Sequence, residues 1–228
     1  MAPAVPAPRH LIIAPYPNQY ESSWLLKDGT PVKLRPMVPE DEDLVEGLLR
    51  SCSEGTLYFR YFQRLKSFPH SFLVRFTQND YDREIGLAAI GMPPGPEVMM
   101  GVGRLVMSPD RENAEFATIV ADPWHGKGLG EKLIREVIKI AEDCGVKRLW
   151  GEILATNEPM LRLVGKMGFE VKAAMDGLRR VELGRHHAAH AHHGRRVRRV
   201  VVPPTCALGH AGQADPVGAD RHRHRRRD

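Results

Sequence analysis

A glycine-rich turn between an apolar segment and an amphipathic segment is the feature of this sequence that most restricts its fold. A predicted strand ends near Val120, and three glycines then follow at alternate positions, in His125-Gly126-Lys127-Gly128-Leu129-Gly130. From Leu129 to Asp143 apolar residues recur at helical spacing, and Gly145 follows the predicted helix. Glycines let the backbone approach a ligand closely, and the free amides and dipole of a helix start attract an anion. The segment therefore predicts a strand–turn–helix unit that binds a pyrophosphate.

This turn differs from the two familiar nucleotide-binding loops. A Walker loop needs Gly-Lys followed by Ser or Thr, whereas Lys127 is followed by Gly128. A dinucleotide fingerprint needs a different glycine spacing within a parallel βαβ unit. A turn with a purely structural role stays open as the alternative at this point.

The remaining patterns predict an α+β domain around one mostly antiparallel sheet. Strands are predicted at 31–35, 85–90, 98–107, 114–120, 148–154, 169–175 and 178–183. Helices are predicted around 44–49, twice within 56–77 with a break at Pro69, at 129–143 and at 159–167. The domain then extends over 21–184, between a proline-rich arm at 1–20, which docks through Tyr16 and Tyr20, and a tail at 185–228.

The positive charge of the chain lies in that tail. The formal net charge is +5, but residues 185–228 carry ten Arg and three Asp, so the remainder carries −2. A nucleic-acid-binding domain shows its basic residues on the folded part, so we expect no nucleic-acid partner. The tail also holds eight of the eleven His and little apolar sequence. That composition favours disorder over a metal site, and an out-of-frame reading of a GC-rich gene is a further hypothesis.

Features that determine location favour the cytoplasm. The apolar runs are far shorter than the roughly 20 residues that cross a bilayer, so we expect no membrane contact. No basic segment precedes an apolar run at the N-terminus, so we expect no secretory signal. Cys52, Cys144 and Cys206 have neither zinc-site nor disulfide spacing, which fits a reducing compartment and predicts no bound metal.

Two motifs resemble those of the GNAT acetyltransferases. Residues 125–130 are similar to that family's acetyl-CoA loop, Gln/Arg-x-x-Gly-x-Gly/Ala, and Asn157 with 163–169 is similar to its second signature. The resemblance covers about residues 30–183. A closer resemblance is to the acetyltransferase domain of bacterial protein lysine acetyltransferases. It rests on Asp28-Gly29-Thr30, Leu34-Arg35-Pro36, Leu57-Tyr58-Phe59-Arg60, Asp80-Tyr81-Asp82-Arg83-Glu84 and Ala114-Glu115-Phe116-Ala117.

The resemblance implies direct transfer of an acetyl group from acetyl-CoA to a protein lysine, with acyl-CoA synthetases as candidate protein partners. A lysine amine of ordinary pKa is protonated at neutral pH, so a base is required. Glu115 matches the family's glutamate and is the expected catalytic base; a salt-bridged strand carboxylate is the alternative. The implied acetyl-CoA contacts come from a strand edge, an amide side chain and the loop: Val120, Asn157, His125, Gly126, Lys127, Gly128, Leu129 and Gly130. Asn157 either binds the pantetheine arm or only caps the next helix.

Two departures from the family pattern affect the expected chemistry. His125 replaces the usual Gln or Arg of the loop, and Val164 replaces a tyrosine that serves many relatives as general acid. Tyr58, Tyr61 and Tyr81 are candidate replacements for that acid. Since no Cys-His spacing is present, a covalent acetyl-cysteine route is not favoured.

The sequence leaves several alternatives open. The acceptor is a protein lysine, or a small amine or antibiotic, or the chain is an acyl-CoA sensor that has lost turnover. Residues 82–84 line the acceptor channel or form ion pairs at a strand entrance. The aromatic run 58–62 is interpreted as core. The oligomeric state is not determined.

Overall fold

Short apolar strands alternate with amphipathic helices along the chain, and the strands assemble into one sheet. The structure, a computed structural model, describes residues 14–91, 96–173 and 176–184. The strands in these ranges are β1 (Ser22–Leu25), β2 (Pro31–Pro36), β3 (Glu84–Gly91), β4 (Val98–Met107), β5 (Asn113–Val120), β6 (Arg148–Leu154), β7 (Glu170–Ala173) and β8 (Leu178–Gly184). Their order is β1-β2-β3-β4-β5-β6-β8-β7, antiparallel throughout except for the parallel pair β5 and β6. The predicted α+β fold with a mostly antiparallel sheet is confirmed.

Helices cover both faces of this sheet. They are α1 (Glu42–Arg50), α2 (Glu54–Tyr61), α3 (His70–Thr77), α4 (Leu129–Asp143) and α5 (Glu158–Lys166), with short 3-10 turns at Asn18–Tyr20, Pro39–Asp41 and Asp122–Trp124. On one face α4 buries Leu133 and Val137 against the strands, and on the other α1 and α3 bury Leu48 and Leu73. The sheet therefore separates two apolar cores. No helix in the described part of the chain is both long and apolar enough to cross a membrane.

The parallel strands β5 and β6 separate after a short paired stretch. Their last paired residues are Glu115 and Trp150, and the next residue on each strand is Phe116 and Gly151. A Cβ added at Gly151 would lie 2.7 Å from the Phe116 ring, so a glycine is needed for the ring to lie against β6. The ring also packs on Phe169, with centroids 5.0 Å apart. Phe116 thus acts as a wedge at the point where the strands diverge.

The chain before β1 is part of the packed structure from Ala14 onward. Tyr20 is 8% exposed and belongs to the core that α4 covers. The Tyr16 hydroxyl donates to Glu21 Oε1 at 3.0 Å, and its ring meets Tyr81 edge-on. Residues 1–13 and the tail 185–228, with its predicted disorder and metal alternative, lie outside the described residues.

One core prediction is wrong. The aromatic run that begins at Tyr58 was expected to be buried, but Tyr58, Phe59 and Phe62 are 42%, 37% and 39% exposed. The reason is that α2 has only eight residues and turns one side to the protein, where Leu57 is buried and Tyr61 follows four residues later. The three exposed rings form a surface that we call the α2 aromatic surface.

Replacing Gly151 by alanine is expected to destabilise the fold by about 1–3 kcal/mol, because the new methyl group displaces the buried Phe116 ring. Urea unfolding of the purified variant measures this loss. Gly165→Ala is the matched control, since Gly165 lies within α5 with open space around its Cβ position. That control is expected to be neutral or to gain up to about 1 kcal/mol. Equal free energies of unfolding for the two variants would contradict the steric contact between Phe116 and position 151.

Candidate active site

The divergence of β5 and β6 opens a space that we call the strand gap, bounded by β5 after Glu115 and β6 after Trp150. The Ala121 amide donates to the Met100 carbonyl at 2.9 Å. Because hydrogen-bonded positions alternate in an antiparallel pair, the backbone amide and carbonyl of Val120 face away from β4 and toward this gap. An extended ligand in the gap therefore meets a strand edge that β6 does not pair.

The glycine-rich turn lies at the end of β5 and leads directly into α4. Gly126 and Gly128 have φ angles of +72° and +89°, in the left-handed region that favours glycine. Gly128 is the residue that precedes the first turn of α4. A Cβ added at Gly130 would come within 3.9 Å of both Val120 Cγ2 and Leu163 Cδ2. The start of α4, the strand edge and α5 therefore converge at one end of the gap.

The amides of this turn are available to a ligand. In the described ranges, the amides of residues 126–131 make no hydrogen bond to the protein. The first amides of an α-helix have no partner within the helix, and the helix dipole places partial positive charge beside them. These residues can therefore bind the oxygens of a diphosphate.

The turn between β1 and β2 supports the glycine-rich turn from outside. The Lys27 amide donates to the Lys127 carbonyl at 3.2 Å, and Lys127 Nζ lies 3.0 Å from Asp28 Oδ2. Lys127 Nζ also lies 4.5 Å from the centre of the Trp124 ring. Hydrogen bonds from Thr30, and then from Lys127, lower the pKa of Asp28 to about 2. Sequence reasoning noted Asp28 only as part of a motif and missed this contact.

His125 bonds to the strand edge itself. Its Nε2 lies 2.7 Å from the Val120 carbonyl oxygen, so this nitrogen carries the proton and donates it to the carbonyl. In this arrangement the ring lies beside the strand edge, and Nδ1 has no hydrogen-bond partner among the described residues. The predicted contact between His125 and a phosphate stays a prediction.

Glu115 lies on the opposite face of the sheet from α4. It lines a cavity of about 330 Å³, which we call the Glu115 cavity, together with residues of α2, α3 and β4. The residue is exposed, but partial desolvation of its carboxyl group by the cavity walls raises the pKa of Glu115. The positive charge of Arg60 opposes this rise in pKa, and the negative charge of Glu152 adds to it. The elevated pKa is typical of a group that accepts a proton in a reaction.

Asp82 and Glu84, which the sequence placed either along an acceptor channel or in ion pairs, both pair with arginines. Glu84 does line the Glu115 cavity, and it also pairs with Arg104 at 2.5 Å. Asp82 pairs instead with Arg111 outside the cavity. The ion-pair alternative therefore applies to both Asp82 and Glu84, and a role of Glu84 in an acceptor channel stays a prediction.

Asn157 caps α5. Its Oδ1 accepts a hydrogen bond from the Met160 amide at 3.3 Å, as the capping alternative requires. A further contact with a pantetheine arm stays a prediction. Val164, which stands where many relatives have a tyrosine, is completely buried in the core that α4 covers.

The tyrosines that could act as general acid and the cysteine that could act as nucleophile lie in different parts of the structure. Of the three tyrosines, Tyr61 lines the Glu115 cavity, Tyr58 belongs to the α2 aromatic surface, and the Tyr81 hydroxyl donates to the Met37 carbonyl at 2.7 Å. Burial raises the pKa of Cys52 to about 12, so its thiol stays protonated. No group of three or more His, Cys, Asp or Glu side chains in the described residues is arranged to hold a metal ion.

Comparison with known proteins identifies relatives of the chain. The family model of the acetyltransferase (GNAT) domain matches residues 32–170. The acetyltransferase PA5475 of Pseudomonas aeruginosa is 26% identical over 144 residues, which are 63% of this chain and 77% of that protein. The GNAT domain of S. lividans PAT superposes with a TM-score of 0.68 and 25% identity, over 74% of this chain and all but 1% of that domain. The fold of yncA from Salmonella typhimurium, solved with its cofactor acetyl-CoA, is also similar, with a TM-score of 0.54, 21% identity and coverage of 67% and 93%.

Asp28→Asn is expected to remove stability that depends on pH. The folded pKa of about 2 is below the unfolded value of roughly 3.9, so the carboxylate stabilises the fold above pH ~4 and loses this effect as pH falls toward 2. The difference in free energy of unfolding between wild type and Asp28→Asn should therefore be larger at pH 5 than at pH 2.5, as urea titrations measure.

Lys127→Met is the comparison variant, since it retains the larger effect of Thr30 on the pKa of Asp28. It is expected to keep most of the pH-dependent difference. A pH-independent difference for Asp28→Asn would contradict the assigned pKa.

Proposed function

The chain belongs to the acetyltransferase (GNAT) domain family, and we propose that it moves an acetyl group from acetyl-CoA directly to the side-chain amine of a protein lysine. The observation that carries this proposal is the position of Glu115 at the last β5–β6 pair, beside the strand gap and inside the Glu115 cavity. In this proposal acetyl-CoA lies in the gap and the lysine enters through the cavity, so the two substrates meet beside Glu115.

The contacts proposed for acetyl-CoA follow from the free backbone groups. The amides of residues 126–131 bind the diphosphate. The Val120 amide donates to the pantetheine arm, and the Val120 carbonyl, which also accepts from His125, pairs with an amide of that arm through its second lone pair. Lys127 is held by Asp28, so in this proposal it contributes positive charge near the diphosphate while the backbone makes the close contacts. Asn157 lies at the start of α5, on the far side of the gap from β5.

The proposed reaction balances as a single displacement. The lysine nitrogen attacks the thioester carbonyl carbon, a C–N bond forms, and the C–S bond breaks as the thiolate leaves. Glu115 takes the proton that the amine loses, directly or through a water molecule. A backbone amide near Val120 stabilises the negative charge on the carbonyl oxygen during attack. Tyr61 is one of the candidate acids for the leaving thiolate. Burial raises the pKa of Tyr61 to about 12, so its hydroxyl stays protonated at neutral pH.

Two observations support a protein as the acceptor. The similar S. lividans domain belongs to PAT, a protein acetyltransferase, and the likeness extends over nearly the whole of that domain. The α2 aromatic surface lies on the same helix as Arg60 and Tyr61, which line the Glu115 cavity. Exposed apolar rings beside a substrate cavity are typical of a surface that binds another protein. Acyl-CoA synthetases are the proposed protein class, and the cytoplasm is the proposed compartment.

An acetylation assay tests the acceptor class. Full-length protein with labelled acetyl-CoA is offered an acyl-CoA synthetase, a proteome extract and a panel of small amines. Label on protein lysines supports the proposal, and label only on small amines overturns it in favour of a small-molecule acceptor. Binding of acetyl-CoA without any transfer overturns it in favour of an acyl-CoA sensor.

Glu115→Gln is expected to lower kcat/KM at neutral pH by roughly 10²–10⁴-fold, because the amide accepts no proton from the amine. The affinity for acetyl-CoA, measured by calorimetry, should not change. The deficit is expected to narrow at high pH, where more of the amine is already neutral.

Glu152→Gln is the matched control, because it removes a neighbouring charge that raises the pKa of Glu115 and leaves the Glu115 carboxylate itself in place. This variant should keep most of its turnover and shift the acidic limb of the pH–rate profile to lower pH. Full turnover of Glu115→Gln at pH 7 would show that the base is another group.

Gly128→Ala is expected to weaken acetyl-CoA binding roughly tenfold, since a left-handed conformation costs an alanine about 1–2 kcal/mol. The turn relaxes from the geometry that presents its amides, and the added Cβ also lies 3.3 Å from Lys27 Cε. Calorimetric dissociation constants of the variant and of Gly165→Ala provide the comparison. Unchanged affinity in Gly128→Ala would contradict binding of the diphosphate by this turn.

A further inference from the structure

Arg60 is a charged side chain for which the described part of the chain offers no direct ion-pair partner. It extends from α2 and lines the Glu115 cavity, with its guanidinium carbon 5.0 Å from the centre of the Tyr61 ring. Within the described residues Arg60 makes no hydrogen bond and no ion pair. Burial lowers the pKa of Arg60, which indicates that its charge is poorly solvated. The charge of Glu115 acts on Arg60 from the same cavity, but the two side chains form no ion pair. A poorly solvated guanidinium without a direct partner is costly for a protein, and an anion that binds there relieves this cost.

Arg104 shows how an arginine in the same cavity is satisfied when its role is structural. It is 9% exposed, and its guanidinium donates to Glu84 at 2.5 Å and to the Phe76 carbonyl at 2.9 Å. It also lies 5.1 Å from the centre of the Phe76 ring. Each guanidinium nitrogen of Arg104 therefore donates a hydrogen bond, whereas the five N–H donors of Arg60 make none to the described residues.

The remaining charges of the cavity favour an anion. Once Arg104 and Glu84 are paired, the cavity presents Arg60 and Arg75 against the single carboxylate of Glu115. The hydroxyl of Tyr61 is buried and has no hydrogen-bond partner in the described part of the chain. A second unused donor thus belongs to a residue that lines the same cavity as Arg60.

We propose that the Glu115 cavity binds an acceptor that carries a carboxylate near its amine, with the carboxylate at Arg60 and the amine at Glu115. The planar guanidinium binds a carboxylate through two parallel hydrogen bonds. This inference rests on the proposed function and adds a substrate class to it. It makes Arg60 a specificity-determining residue, since it contacts the acceptor without taking part in the proton transfer.

The carboxylate that binds Arg60 can come from two kinds of acceptor. The first is a protein in which an Asp or Glu side chain lies next to the acetylated lysine. The second is a free amino acid, whose own carboxylate occupies the site. Two acceptor series distinguish them: lysine peptides with Glu or Gln beside the lysine, and ω-amino carboxylates paired with n-alkylamines of equal chain length. In the second series the chain length also measures the spacing between amine and carboxylate.

The experiment compares full-length wild type, Arg60→Met and Arg64→Met by release of CoA. Wild type should prefer the carboxylate-bearing member of a pair by at least roughly tenfold in kcat/KM, the value of one charge-assisted contact. Arg60→Met should remove this preference mainly through KM of the carboxylate-bearing acceptor. Arg64→Met removes the same charge from an exposed side chain outside the cavity, and it should retain the preference.

A role of Arg60 in tuning Glu115 alone predicts a different result. Loss of the Arg60 charge raises the pKa of Glu115 and shifts the pH–rate profile equally for both members of every pair. An equal loss for both members, or no preference in wild type, overturns the carboxylate site while leaving the acetyl transfer intact.

Calorimetry on the protein loaded with CoA separates the remaining outcomes. Arg60-dependent binding of carboxylate acceptors without any turnover overturns the proposed transfer and supports the site. Absence of both turnover and Arg60-dependent binding overturns both proposals.

Discussion

The steric contact between the Phe116 ring and Gly151 is the constraint on which the site depends. Parallel strands otherwise continue to pair, since each unpaired amide and carbonyl next to a neighbouring strand loses a hydrogen bond. The ring occupies the space that a side chain on β6 would fill, and its packing against Phe169 holds it there. The pairing of β5 and β6 therefore stops at Glu115 and Trp150, and the strand edge beyond them is left for a ligand.

The sheet then separates two tasks that need different surroundings. On the α4 face, the glycine-rich turn presents neutral amides, whose partial charges would bind the diphosphate in the proposed complex without burying a full charge. On the α2 and α3 face, full charges line the Glu115 cavity, and burial raises the pKa of Glu115. Glu115 belongs to the strand that also carries Val120, so one strand connects the two tasks across about five residues.

The sequence predicts those parts of the structure that follow from local periodicity. The bounds of α4 agree with the prediction from Leu129 to Asp143, because its apolar spacing and flanking glycines act within the helix itself. The strand β1 was missed, since its four residues carry no alternation of apolar side chains. Burial of the α2 rings was predicted wrongly, because local composition does not show which side of a short helix meets the sheet. The unpaired state of Arg60 is a property of tertiary structure, since it depends on which carboxylates α3 and β3 bring near.

Arg60 and Glu115 together determine how basic the site is when an acceptor binds. In the free protein the charge of Arg60 lowers the pKa of Glu115, against the rise that burial produces. A carboxylate bound to Arg60 neutralises that charge in the proposed complex, so its lowering effect on the pKa of Glu115 is lost. Exclusion of water by the acceptor adds to desolvation of Glu115, which raises its pKa in the same direction. In this proposal Glu115 becomes a stronger base when an acceptor with a carboxylate occupies the cavity, so recognition and proton transfer are coupled through the electrostatics of Arg60 and Glu115.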